Sequence, residues 1–310
     1  MSQLSVDALL AQLWLAEPTA DIVESAANRI GLPTFPAAEL AEAYVSLFIM
    51  GVYPYGTVFT DPGAELNGPL AQRLAGEFRA FGYIPSLLQQ VAAADHLGMC
   101  LGFGDHLGDR VAPGFWHDLM SWAPVCCWAV EVEPRAHSFY VELARVTRAH
   151  LLDRWTGECE SMSLTSYRRS TWDNLDSTAP TPPFAQHLAD PTSEVRLGDI
   201  VRYFLAPARC GVYLSRTRLG TMACELGLQL PFGSRHELGA ALFRSAHDPE
   251  TLAALLEALD GLLQVWSDAY SAWSSAFPAW QPLAGPWLAR LDDAQSVLAE
   301  MQRQAVLPLS

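Results

Sequence analysis

"SFYVELARVTRAHLLDRW", residues 138–155, sets Phe139, Leu143, Val146 and then His150 or Leu151 at intervals of three to five residues. That spacing places them on one face of an α-helix. The same period recurs on both sides of this stretch. Upstream, "GPLAQRLAGEFRAF" (68–81) aligns Leu70, Leu74, Phe78 and Phe81 in one stripe, with Arg73 and Glu77 as an i,i+4 pair outside it. Downstream, "SRHELGAALFRSA" (234–246) reads as a capping box, with Ser234 at the N-cap and Glu237 three residues on. "DPETLAALLEALDGLLQVW" (248–266) opens on an Asp248 cap with Pro249 in the first turn. Alternating apolar and polar runs are nearly absent, so the pattern predicts an all-α protein.

The composition narrows the class. A chain of 310 residues that is 50% hydrophobic can build a substantial core. The first basic residue is Arg29, and the N-terminus lacks the charged start and small-residue cleavage site of a secretory signal. The most apolar run, "AYVSLFIMGVYPYGTVF" (43–59), is shorter than the ~20 residues of a membrane span and is interrupted by Gly51, Pro54 and Gly56. Six cysteines form no C-x-x-C pair, which points to reduced thiols and the cytoplasm. All 19 basic residues are arginine, and they face 34 acids for a net charge of -15. Nucleic acid is thereby excluded as a partner. Residues 1–70 hold eight acids against Arg29 alone, a field that attracts a basic partner.

Three regions follow. Residues 1–155 read as a helical domain and 196–310 as a helical C-terminal extension. Between them, residues 156–195, rich in Ser, Thr and Pro and without sustained period, read as a linker or long loop.

Several enzyme motifs come close and fail. "HELGA" (236–240) starts like the zinc-protease H-E-x-x-H, but Ala240 stands where the second His belongs, and Glu237 serves the capping box. "GFGDHLG" (102–108) imitates a dinucleotide loop with its last Gly displaced and no strand before it. No G-x-S-x-G or Walker sequence is present. Cys126-Cys127, inside "WAPVCCWAV", reads as two buried thiols.

The chemistry-bearing stretch is "VAAADHLGMCLGFGDHLGD" (91–109), with Asp95-His96 and Asp105-His106. His96 and Cys100 are one helical turn apart, so a metal site or a metal-dependent hydrolase built on the Asp-His pairs is one alternative. That set mixes hard carboxylate with soft thiolate and lacks a second matching pair, so no metal is assigned. Asp105, bracketed by Gly104 and Gly108, reads as an N-cap in a turn between helices, with His106 its solvent-facing neighbour. With 87–101 read as helix, Asp95 sits at the edge of an apolar face beside Leu88, Val91 and Met99. A carboxylate there needs a partner, either an internal one or an arginine arriving from outside.

Three segments in order, "AYVSLFIMGVYPYGTVFTDPGAELNGPLAQRLAGEFRAFGY", "AADHLGMCLGFGDHL" and "FYVELARVTRAHLLDRW", resemble the TorD-like redox-enzyme maturation chaperones, the group that includes DmsD- and NarJ-type proteins. The family's Pro-Tyr-x-Ser/Thr-Val-Tyr/Phe turn is matched by Pro54, Tyr55, Gly56, Thr57, Val58 and Phe59. Of its Glu-Pro-x-Asp-His signature, Asp95 and His96 remain; Ala93 stands at the Pro, and the Glu is missing. The resemblance covers roughly residues 40–155. It implies a helical bundle without catalytic activity or cofactor that binds the twin-arginine signal peptide, or the apo-form, of a molybdenum-containing oxidoreductase. It implies a peptide site at Asp95 and His96, walled by Pro54, Tyr55, Thr57, Phe59 and Leu88, with Asp95 taking a guanidinium fork.

Two further features lie outside the resemblance. Residues 195–237 concentrate six arginines, among which Arg202, Arg209, Arg216 and Arg218 are read as docking points for an anion or for client surface, with internal salt bridges the competing explanation. "TSYRRSTW" (165–172) places Arg168-Arg169 in the presumed linker, where it resembles an internal twin-arginine box that folds back on the peptide site. The spacing leaves a second reading open, a structural helical adaptor in which Asp95 is an internal partner. Monomer and homodimer are not distinguished by the sequence.

Overall fold

The helical patterns at 68–81, 138–155, 234–246 and 248–266 form helices, whereas residues 92–96 of the stretch read as helix over 87–101 do not, in the computed structural model, which describes residues 4–63, 68–85, 92–108, 110, 112–161 and 183–306. Among these residues there is no strand, only an isolated bridge between Tyr55 and His96. In chain order the helices are α1 (Val6–Leu15), α2 (Ala20–Ile30), α3 (Ala37–Tyr44), α4 (Gly56–Thr60), α5 (Pro69–Ala80), α6 (Leu97–Leu107), α7 (Pro113–Met120), α8 (Ala123–Glu131) and α9 (Ser138–Ser161). They continue as α10 (Phe184–Ala189), α11 (Leu197–Leu205), α12 (Pro207–Cys210), α13 (Arg216–Glu225), α14 (Arg235–Ser245), α15 (Pro249–Ala276) and α16 (Gln281–Val306). A π-helical turn, Val45–Ile49, extends α3. No described helix is long and apolar enough to cross a membrane.

The chain divides into two compact units. The first comprises Met1–Leu152, Ala206–Ala208 and Tyr213–Thr221; the second comprises Asp153–Leu205, Arg209–Val212 and Met222–Ser310. Within the segment read as a linker, α9 runs on to Ser161 and α10 occupies Phe184–Ala189. Arg168-Arg169 lies outside the described residues.

In the first unit α1 packs along α6. Leu9, Leu10, Leu13 and Trp14 of α1 are fully buried, each apolar side chain contributing about 1.5–3 kcal/mol. The Trp14 indole donates to Thr147 Oγ1 at 3.0 Å, and Thr147 in turn donates to the Leu143 carbonyl, so a buried donor and a buried hydroxyl satisfy each other. The helices approach closely because α6 carries glycine at the contact: a Cβ on Gly98 would stand 2.6 Å from Leu15 Cγ and 2.8 Å from the Ala11 carbonyl oxygen. Around this pair, Trp14, Tyr44, Phe48 and Tyr140 meet at ring separations of 5.0–6.2 Å.

The second unit is organised on α15 and α16, with Trp266, Tyr270 and Trp280 completely buried between neighbours. Gly211, at φ +80°, lies so close to α16 that a Cβ would meet Leu291 Cγ at 2.9 Å, and its carbonyl accepts from the Tyr270 hydroxyl. Asp293 accepts from the Phe184 and Ala185 amides and from the Tyr203 hydroxyl, so one carboxylate fixes the start of α10 and the side of α11. Both capping features expected near the C-terminus form: Ser234 and Glu237 exchange hydrogen bonds across the start of α14, and Asp248 accepts from the Thr251 amide.

One local reading is corrected. Asp105 is no N-cap; it lies in the last turn of α6, and the glycine that ends this helix is Gly108 at φ +54°. Arg73 reaches Asp118 of α7 at 3.4 Å, a partner distant in sequence. All six cysteines are free, and burial pushes the Cys126 and Cys127 thiols well above their ordinary range.

The α1–α6 contact yields a direct test. Gly98→Ala drives a methyl group against backbone that cannot move away, and the expected loss is about 1–3 kcal/mol in a denaturant titration. Gly76→Ala, where a Cβ meets nothing within 4 Å, is expected to leave stability unchanged or raise it by about 0.5–1 kcal/mol.

Candidate functional site

Residues 54–59 and 95–97 come together, as the sequence led one to expect, but in an arrangement that a mid-helix Asp95 does not provide. Asp95 precedes α6, which begins at Leu97. The segment 93–96 folds against Pro54–Gly56: the Gly56 amide donates to the Asp95 carbonyl and the Leu97 amide to the Pro54 carbonyl, each at 2.8 Å. Through this clasp the Asp95 side chain meets the first turn of α4. Its Oδ2 accepts from the Thr57 amide at 2.8 Å and from the Thr57 hydroxyl at 2.5 Å. A carboxyl oxygen that accepts from an amide left unpaired at a helix start satisfies a donor the helix itself cannot.

His96 does the corresponding work for the other helix. It is the N-cap of α6, and its Nδ1 accepts from the Gly98 amide at 3.1 Å. Consecutive residues therefore cap two helices, Asp95 the distant α4 and His96 its own α6. Because Nδ1 must accept, the imidazole has to be neutral, and burial lowers its pKa to about 4.

The rest of the turn is shaped for close approach. At Gly56 a Cβ would stand 2.5 Å from Leu70 Cδ2 and 2.7 Å from Trp122 Cε2. Phe59 is fully buried and stacks on Tyr213 at 5.4 Å, whose hydroxyl donates to the Gly51 carbonyl. The Tyr55 ring stands edge-on to His96 at 4.8 Å. Burial, and then the Asp95 carboxylate, raise the Tyr55 pKa.

Exposure decides what this junction can do. Asp95 is 0% exposed, His96 5%, Thr57 1% and Phe59 0%; Pro54 is buried, and Tyr55 alone is partly open. Asp95 and His96 therefore do not form the open wall of a peptide groove, which corrects the expectation that Asp95 presents a carboxylate to an incoming guanidinium. Its Oδ2 is occupied by Thr57, and its Oδ1 is buried with no hydrogen-bond partner among the described residues. Leu88 lies outside the described residues. The signal overlooked in the sequence is local: an Asp-His pair immediately before an apolar helical run is capping chemistry before it is binding chemistry. Nothing in the sequence pointed to Trp122 or Tyr213 as the aromatic bed of Phe59, because both are remote along the chain.

The remaining candidates separate. Asp95-His96 and Asp105-His106 flank opposite ends of α6, roughly 15 Å apart at 1.5 Å per residue. Among the described residues no group of three His, Cys, Asp or Glu side chains is placed to hold a metal ion. Of the four arginines read as docking points, Arg202 and Arg209 belong to the second unit, Arg216 and Arg218 to the first. Arg202 pairs with Asp199 at 3.0 Å, Arg218 donates to the Val132 carbonyl, and Arg209 and Arg216 are engaged as well.

The neutral His96 cap makes stability depend on pH in a defined direction. Its folded pKa of about 4 lies below the ordinary 6.5, so the unfolded chain binds more protons between these values. Stability from this group is complete above pH 6.5 and is lost as pH falls toward 4, by at most about 3 kcal/mol. Buried Asp118, with a pKa raised to about 6, contributes with the opposite sign over part of this range. Comparing wild type with His96→Asn isolates the His96 share, since Asn caps without titrating, and the variant is expected to lose less stability between pH 7 and 4 in urea titrations. In a double-mutant cycle, Asp95→Asn and Thr57→Val are expected to couple by about 1–3 kcal/mol.

Neither the curated proteins nor the solved structures contain a match to this chain. Residues 15–115, which contain most of the first unit's helices and the whole clasp between 54–57 and 95–97, match the family model described as nitrate reductase delta subunit, and over that third of its length the chain is similar to this family.

Proposed function

We propose that this protein is a cytoplasmic chaperone for a molybdenum-containing oxidoreductase, binding the twin-arginine signal peptide or the apo-form of the catalytic subunit until its cofactor is inserted. The family matched by residues 15–115 is one of molybdoenzyme maturation chaperones and not of enzymes. The observation that carries the reading is that this match includes both halves of the clasp, so the residues behind the TorD-like resemblance form one structural element. The charge agrees: a chain with a net of -15, whose first 70 residues set eight acids against Arg29 alone, attracts a basic leader. Such a protein acts by differential affinity, holding the immature client more tightly than the finished one.

The burial of Asp95 favours a second reading in part, the helical adaptor in which this carboxylate is structural. One experiment separates the two. Calorimetric titration with a twin-arginine leader peptide, its Lys-Lys counterpart and the apo-enzyme compares wild type with Asp95→Asn. The chaperone reading expects binding to the leader or the apo-enzyme, with Asp95→Asn melting at lower temperature yet binding in its folded form. A protein that binds none of the three leaves the adaptor reading in place.

A further inference from the structure

A groove of about 570 Å³ opens on the first unit between α1, the first turn of α2 and one face of α6. Ala8, Ala11, Leu15 and Gly102 contribute to its floor. Its origin is the glycine-mediated contact already described: Gly98 draws α1 against α6, and the small residues beside it leave a trough where larger ones would fill the space. Two carboxylates stand at the rim, Glu17 just beyond α1 and Asp105 in the last turn of α6. Both are exposed, and neither forms an ion pair with a described residue. Asp105 Oδ1 accepts from the Ser5 hydroxyl. The lining includes no arginine, and its one basic side chain, His106, has Nε2 3.1 Å from the Phe81 carbonyl oxygen.

We infer that this groove, and not the buried Asp95, receives the client leader, with an apolar side chain on the Ala8–Ala11–Leu15 floor and an arginine guanidinium at Glu17 or Asp105. The inference rests on the leader-binding reading above and gives that reading a location. Charge complementarity selects the occupant: an apolar trough edged by unpaired carboxylates accepts a segment that joins guanidinium to hydrocarbon. An acyl chain with an anionic headgroup would fit the floor but be repelled at the rim. The volume holds a few side chains, which suits a short peptide and excludes a folded domain.

Fluorescence anisotropy of a labelled twin-arginine leader peptide, measured at two salt concentrations, tests this with two variants. Glu17→Gln/Asp105→Asn removes both charges from exposed positions and is expected to weaken binding about tenfold while flattening its salt dependence. Ala16→Trp fills the groove with the charges intact and is expected to weaken binding at least as much. Melting temperatures close to wild type establish that each variant is folded; should Ala16→Trp not fold, the charge variant decides alone. Wild-type binding of the peptide that both variants reproduce overturns the groove and leaves the chaperone reading standing. A wild-type protein that ignores the peptide overturns the groove's occupant together with leader binding, and the apo-enzyme titration then decides the chaperone role separately.

Discussion

A buried carboxylate that accepts two hydrogen bonds from one threonine sets the geometry of the first unit. Asp95 holds the start of α4, and the backbone pairs on either side of it tie Pro54–Gly56 to the entrance of α6. Burying a carboxyl group is costly unless its bonds are made, so this contact permits little freedom in how the two segments meet. Its unpaired Oδ1 makes the balance asymmetric: one oxygen is compensated, the other is not. The arrangement thus depends on Thr57 supplying both of its donors.

Around this contact the packing follows from what glycine permits. Gly56 lets α4 lie against Leu70 and Trp122, and Gly98 lets α1 lie against α6. The same economy of side chains that closes one contact leaves a trough beside the other. A close contact at the clasp and an open trough at the α1–α6 face are therefore two outcomes of one device.

The division also explains why the site was only half legible. The residues that mark the resemblance, Pro54 to Phe59 and Asp95-His96, are conspicuous in the sequence because polar groups in an apolar context are conspicuous. Their chemistry reads equally well as recognition or as capping, since the same carboxylate that grips a guanidinium also accepts from helix amides. Burial resolves the ambiguity, and burial depends on Trp122, Tyr213 and the turn at 93–96, none of which announces itself locally. The arginines of 196–235 illustrate the reverse case: a cluster in sequence is divided between the two units, where Arg202 meets Asp199 and Arg218 the Val132 carbonyl.

By itself the sequence determined the all-helical class, the caps at Ser234 and Asp248, the stripes that line the cores, and the acidic character of the N-terminal region. These are properties of neighbours within one or two helical turns, where spacing and side-chain chemistry suffice. Only the tertiary structure decided that Asp95 faces Thr57 and not solvent, that the two Asp-His pairs lie at opposite ends of one helix, and that an acid-rimmed groove opens between α1 and α6. Each of those depends on contacts between segments tens of residues apart, whose free energy is set by the packing of the assembled unit and by no local pattern.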